Sequence, residues 1–164
     1  MNFKIGSICT RKKNWKLNFK IIKTMTQKEK QILLKDLSAR LHYGVEMHDI
    51  ADDEHLSTIL IGIVEDIIVL QDMYDYTYTE VDHYKPYLFP MSSMTEEQKK
   101  EFPGEVSILN SFIDGSIYLS EDEELTPEDL IEIFDFLNKN HFDYRGLIQK
   151  GLALDATGLN IYQL

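Results

Sequence analysis

His48, Asp49, Asp52, Asp53, Glu54 and His55 form the densest run of potential metal ligands in the chain. Two imidazoles and a carboxylate are a workable ligand set for zinc or iron. A hairpin turn at Asp52-Asp53 would bring His48 and His55 toward one another. On that reading His48, Asp52 and His55 serve a small metal-dependent hydrolase. The competing reading is an exposed acidic turn, because Asp satisfies turn backbone with its own side chain. An HD-type phosphohydrolase would also need helix-borne ligands, and none is placed for it. The acidic turn is preferred, so neither a metal nor a cofactor is expected.

His141, Asp143 and Arg145 alternate after the last helical pattern. Extended, they would share one face and could form an acid–base or anion-binding cluster. The plainer alternative is a helix-terminal histidine favoured by the helix dipole, with an Asp–Arg pair pinning the tail. Tyr74, Tyr76 and Tyr78 likewise share a face of an extended segment, with Tyr84 and Tyr87 following. Stacked aromatics can bind nucleobases, but Asp72, Asp75, Glu80 and Asp82 surround these and oppose a polyanion. Core packing or a protein-binding patch fits them better. A further acidic run at 121–124 could imitate phosphate charge toward a nucleic-acid enzyme, although such runs are commonly just solvated.

Charge divides the chain at Met25. Seven bases and no acid precede it, while all 28 carboxylates and only ten Lys or Arg follow, giving +7 on one side and −18 on the other. The acidic part opposes direct DNA or RNA binding, which depends on Lys and Arg displacing counterions. Contact with basic proteins is what such a surface promotes. Within the basic part, Trp15, Leu17, Phe19, Ile21 and Ile22 alternate partly with Lys and Asn, the pattern of a short strand or amphipathic segment. Residues 1–24 are expected to be a disordered arm or to lie upstream of a true start at Met25. The one cysteine, Cys9, falls there too, so no intrachain disulfide or Cys-based zinc site can form. No apolar run reaches the ~20 residues of a membrane span, and a cytoplasmic protein is expected.

The elements that must position these residues are marked by three start signals. Thr26-Gln-Lys-Glu29 and Thr95-Glu-Glu-Gln98 read as capping boxes, and Thr126-Pro-Glu-Asp129 carries proline at the first helical position. The first opens a helix over about 27–42, with Leu33, Leu34, Leu37 and Leu41 as its apolar stripe and Gly44 as its stop. The second opens a helix that Pro103-Gly104 interrupts, followed by helical spacing at Val106, Leu109, Phe112 and Ile113. The third opens a helix whose buried stripe is Leu130, Ile133, Phe134 and Leu137. Between the first two, eight of the thirteen residues 58–70 are β-branched, which favours strands over a buried helix at 57–73. Strands are placed at 45–50, 55–64, 67–70 and 76–81. Pro86 and Pro90 are expected to close the sheet region. Residues 117–119 would add a short strand or an extended segment, and 142–155 a packed irregular tail.

Three blocks carry a resemblance: Leu34-Lys-Asp-Leu-Ser-Ala-Arg-Leu-His-Tyr-Gly44, Lys85-Pro-Tyr-Leu-Phe-Pro-Met-Ser-Ser-Met-Thr-Glu-Glu97 and Phe134-Asp-Phe-Leu-Asn-Lys-Asn-His-Phe-Asp-Tyr-Arg-Gly-Leu-Ile148. They resemble a family of small proteins without an established activity, encoded by gut Bacteroidales and often carried on prophage or other mobile DNA. The resemblance runs from about Met25 to Asp155. It implies a helix leading into a β-meander, then the Lys-Pro-Tyr-Leu block and a C-terminal helix, and it leaves residues 1–24 outside the shared unit. Phe89 stands where the family has arginine, which removes any role for a basic residue there.

Taken together, the sequence describes a single α+β domain over 25–157 with a tail at 158–164. Its N-terminal helix, small antiparallel meander and C-terminal helices pack beside one another. The expected function is that of a non-enzymatic protein-binding or adaptor module of a mobile element. Its candidate surface is Tyr74, Tyr76, Tyr78, Tyr87, His141, Asp143 and Arg145. The expected partner is a protein, with no membrane or nucleic acid. The alternatives are the metal-dependent hydrolase and an acidic charge-mimic inhibitor.

Overall fold

The computed structural model describes residues 25–51, 57–114 and 125–162. Helix α1 (Gln27–Arg40) begins where the Thr26 hydroxyl accepts the Glu29 amide and the Glu29 carboxylate accepts the Thr26 amide. A 3₁₀ turn, Leu41–Tyr43, extends it to Gly44, whose φ of 65° is the left-handed stop expected of a glycine there. Leu33 and Leu37 are fully buried on its inner side, with Leu34 and Leu41 packed at their edges.

The β-branched stretch forms strands β2 (Ile59–Val64) and β3 (Ile67–Gln71), followed by β4 (Tyr76–Glu80). Together they make an antiparallel meander in the order β2-β3-β4, so the fold is α+β as expected. The Glu65-Asp66 turn joins β2 to β3 without a glycine, and Glu65 takes the positive φ (59°) itself. The hairpin expected at Asp52-Asp53, the strand at 117–119 and the acidic run at 121–124 lie outside the described residues.

Pro86 does not close the sheet region; it lies inside β5 (Tyr84–Leu88), the centre of a second sheet. There β5 pairs antiparallel with β1 (Met47–Asp49) and parallel with β6 (Leu154–Asp155). The Tyr87 amide donates to Glu46 O on the β1 side. By alternation along the strand, the position of the missing Pro86 donor faces the other side. Pairing with β6 begins only at Tyr87, so no ladder bond is lost there. The tail therefore contributes a strand as well as turns.

Helices α2 (Glu96–Glu101) and α4 (Pro127–Lys139) start at the second and third capping boxes, with α3 (Val106–Asp114) between them. Two apolar clusters result. One joins α1 to both sheets through residues such as Leu37, Leu60, Leu70 and Leu88; the other joins α2, α3 and α4 through Phe102, Leu109, Ile133 and Leu137. Phe89 and Phe142, paired by an isolated bridge, both belong to the second cluster.

Candidate functional site

The meander turns its two faces to different surroundings. On the inner face Leu60 pairs with Leu70, and Ile68, beside Ile63, is fully buried. The outer face carries three cross-strand rows: Ile59–Gln71–Tyr76, Gly62–Val69–Tyr78 and Val64–Ile67–Glu80. A bulge between Leu60 and Gly62 adds Ile61. Ile61 is 41% exposed, Val64 65%, Tyr76 56% and Tyr78 72%. At the β3–β4 turn the Asp72 carboxylate accepts the Tyr74 and Asp75 amides, both at 2.7 Å. That closed turn leaves Met73 and Tyr74 exposed at the sheet's end. The result is an aliphatic and aromatic face with no cover among the described residues, of the kind that marks an interaction site.

Carboxylates rim it. Glu65, Asp66 and Glu80 gather at one end, where the Val81 amide donates to Asp66 O, and Asp72 and Asp75 sit at the other, while Asp82 is buried. Lys30, on the first turns of α1, reaches Glu80 at 3.2 Å and Asp82 at 2.8 Å. The hydrogen bond to Asp82 is the main cause raising the Lys30 ammonium pKa. The start of α1 is thereby held beside the last residue of β4. Strand β4 is an edge strand, pairing with β3 alone among the described residues.

Of the residues singled out from the sequence, Tyr74, Tyr76 and Tyr78 come together on this sheet and are open to solvent. Tyr87 lies apart, buried in β5, where burial raises its hydroxyl pKa. Its hydroxyl is 3.2 Å from His48 Nδ1, and the two rings meet edge to face at 5.7 Å. Asp52 and His55 lie outside the described residues, so His48 is the one described member of the proposed ligand set. Among the described residues no three His, Cys, Asp or Glu side chains converge to hold a metal ion.

His141, Asp143 and Arg145 do not share a face, because the backbone turns here and each finds a different partner. His141 is buried with φ 56° and its ring stacks on Tyr162 at 3.8 Å. Burial, and then the charge of Arg40, lower its pKa to about 4. Tyr162 accepts the Glu46 amide and donates to Tyr87 O, which fastens the tail to both β5 and β1. Asp143 is also buried and accepts the Leu147 and Ile148 amides. Arg145 Nε approaches Asp36 Oδ1 at 3.2 Å rather than Asp143. Tyr87, His141 and Asp143 are therefore corrected from surface candidates to parts of the packed interior. A cleft of about 420 Å³ borders this turn, lined among others by Ser92, Phe112, Asp143 and Arg145. The Asp143 carboxylate in it is already committed to backbone amides.

Sequence reasoning missed the buried pair beneath this turn. Asp36 and Arg40 are both fully buried, joined Nε to Oδ2 at 2.7 Å, and Arg40 also donates to Phe142 O at 2.7 Å. The signal was available: Leu33, Asp36, Leu37 and Arg40 stand at i, i+3, i+4 and i+7, placing two charges inside an apolar stripe. Phe89 packs against Phe142 and Tyr162. No protein-family model, curated protein or solved structure matches this chain.

Proposed function

We propose that this protein is a non-enzymatic protein-binding module that takes a basic partner on the outer face of β2–β3–β4. The observation that carries the reading is the solvent-exposed patch of Ile61, Val64, Tyr76 and Tyr78, with carboxylates at both ends of the sheet. Exposed tyrosines beside aliphatic side chains supply contact area at low entropic cost, and a polar rim sets orientation and partner charge. The edge of β4, unpaired among the described residues, adds backbone donors and acceptors for an extended segment, as in strand-addition recognition. The other polar clusters support this assignment indirectly. Asp36, Arg40, Asp143 and Tyr162 spend their hydrogen bonds on holding elements together. The resemblance of the three sequence blocks supports a role as an accessory product of a mobile element, and the lone cysteine suits a reducing cytoplasm.

The test compares affinity capture by the full chain with capture by its Ile61→Ser/Tyr78→Ser variant, each checked for the same unfolding midpoint. Truncating two central contacts should weaken capture of a specific basic protein by about tenfold or more. Raised salt should weaken the wild-type complex as well. Equal recovery by the two proteins would overturn the reading.

A further inference from the structure

We propose that the edge of β4 pairs with the β4 edge of a second copy, antiparallel and centred on Tyr78, to make a two-fold symmetric dimer. This goes beyond the docking reading of the outer face, which a copy paired in the plane of the sheet leaves open.

The first observation is the edge itself. The Asp72 amide donates to Asp75 O and the Val81 amide to Asp66 O. Alternation between those two bonds turns the backbone of Thr77 and Thr79 toward β3, and that of Tyr76, Tyr78 and Glu80 away from it. Among the described residues, the Tyr76 amide alone of that outward set has a partner, Asp75 Oδ1 at 2.8 Å. The other edges are shorter or already met. Strand β2 is engaged on its outer side by the bond from the Leu60 amide to Val45 O and by the Glu46–Ile59 bridge. Strands β1 and β6 are three and two residues long.

The second observation is that this edge is its own complement. Turned end for end about Tyr78, the strand Tyr76-Thr-Tyr-Thr-Glu80 sets Tyr78 against itself, Thr77 against Thr79 and Tyr76 against Glu80. The two Tyr78 residues then exchange both backbone bonds, and each Glu80 amide donates to Tyr76 O of the other copy. Paired aromatics and paired threonines are favourable cross-strand neighbours. The Tyr76 hydroxyl meets the Glu80 carboxylate as a donor.

Charge selects the same direction. Parallel pairing in register would set Glu80 against Glu80 and Asp75 against Asp75. The antiparallel one separates them, and it brings Lys30, bonded to Glu80 at 3.2 Å, to the end where Asp75 of the second copy lies. Area sets the strength. Tyr76 and Tyr78 are the exposed aromatics of the edge, and an aromatic side chain offers about 150–250 Å². A contact built on them stays below the ~800 Å² per partner of a stable complex. The dimer is therefore weak at low salt, where the acidic copies repel, and it grows as salt screens that charge. Each copy spends its edge once, so two three-stranded meanders join and the pairing closes without growing into a fibre. An extended segment of a partner that reaches this edge has to displace the second copy.

The test is disulfide cross-linking of the full chain carrying Cys9→Ser, at about 1 M salt in a glutathione redox buffer. With Tyr78→Cys, the two Cα atoms of the antiparallel pair lie about 5.5 Å apart, within disulfide range. With Tyr76→Cys they lie about 14 Å apart, so the cross-linked dimer should form at least about tenfold more slowly. Tyr78→Pro removes the central outward donor and leaves the ladder to β3 intact. With an unchanged circular dichroism spectrum, it should stay monomeric by light scattering at the same salt. Three results would rule the dimer out: a wild-type chain that is monomeric at about 1 M salt, equal cross-linking at the two cysteine positions, or undiminished association of Tyr78→Pro. If Tyr78→Pro fails to fold, the contrast between the two cysteine variants still decides. Capture of a basic protein is read at low salt, where the chain is monomeric, so the two readings fail separately.

Discussion

His141 adopts a left-handed backbone (φ 56°), lies flat on Tyr162 and leaves Nδ1 without a hydrogen-bond partner among the described residues. A ring held in that way resists protonation, first by burial and then by the nearby Arg40 charge, which is why its pKa falls to about 4. An unfolded histidine titrates near ~6.5. Between those values the unfolded chain takes up a proton that the folded chain refuses. The stability tied to a neutral His141 is therefore complete above pH ~6.5 and is lost as pH falls toward 4, a span on the order of 3 kcal/mol. His141→Asn removes the titration and keeps a residue that tolerates positive φ. Urea unfolding at pH ~7 and ~4.5 should show the wild type losing about 2.5 kcal/mol more than the variant over that interval. Equal losses would mean that the folded chain accommodates the imidazolium.

Between elements, the strongest polar tie runs from α1 to the turn after α4. Arg40 is held by Asp36 on its own helix and by Phe142 O across the fold, and its guanidinium stands 5.2 Å from the Tyr144 ring centre. Asp36→Ala would leave that guanidinium buried and uncompensated, a loss of about 3–5 kcal/mol in denaturant unfolding. Asp36→Leu/Arg40→Met, which replaces both charges with apolar groups, should recover most of it. A loss below about 1 kcal/mol for the single variant would show that water reaches the pair. The helix starts were legible because each rests on a local pattern of four residues, and all three form their reciprocal bonds. The meander was legible from its β-branched density. Strand β5 was not, since Pro86 argues against a strand unless one knows that β6 begins one residue later. The exposure of Tyr76 and Tyr78 against the burial of Tyr87 was likewise hidden, because alternation gives a face and not what covers it.

At the scale of the whole molecule, an apolar sheet face and an edge strand unpaired among the described residues coexist with a net charge of −11. Such a face invites copies of the chain to associate, and the shared negative charge holds them apart. The range of that repulsion is set by salt, falling from about 10 Å at ~0.1 M to about 3 Å at ~1 M. Contacts of close apolar surface are not screened in this way. The full chain should therefore be monomeric by light scattering at about 20 mM salt and should gain mass at about 1 M. Tyr76→Ser/Tyr78→Ser should remain monomeric at both, because it removes the aromatic contacts at the sheet edge. If that variant associates as strongly as the wild type at high salt, the aggregating surface lies elsewhere. The second exposed apolar strip, Ile131 and Leu130 on α4, then becomes the place to substitute.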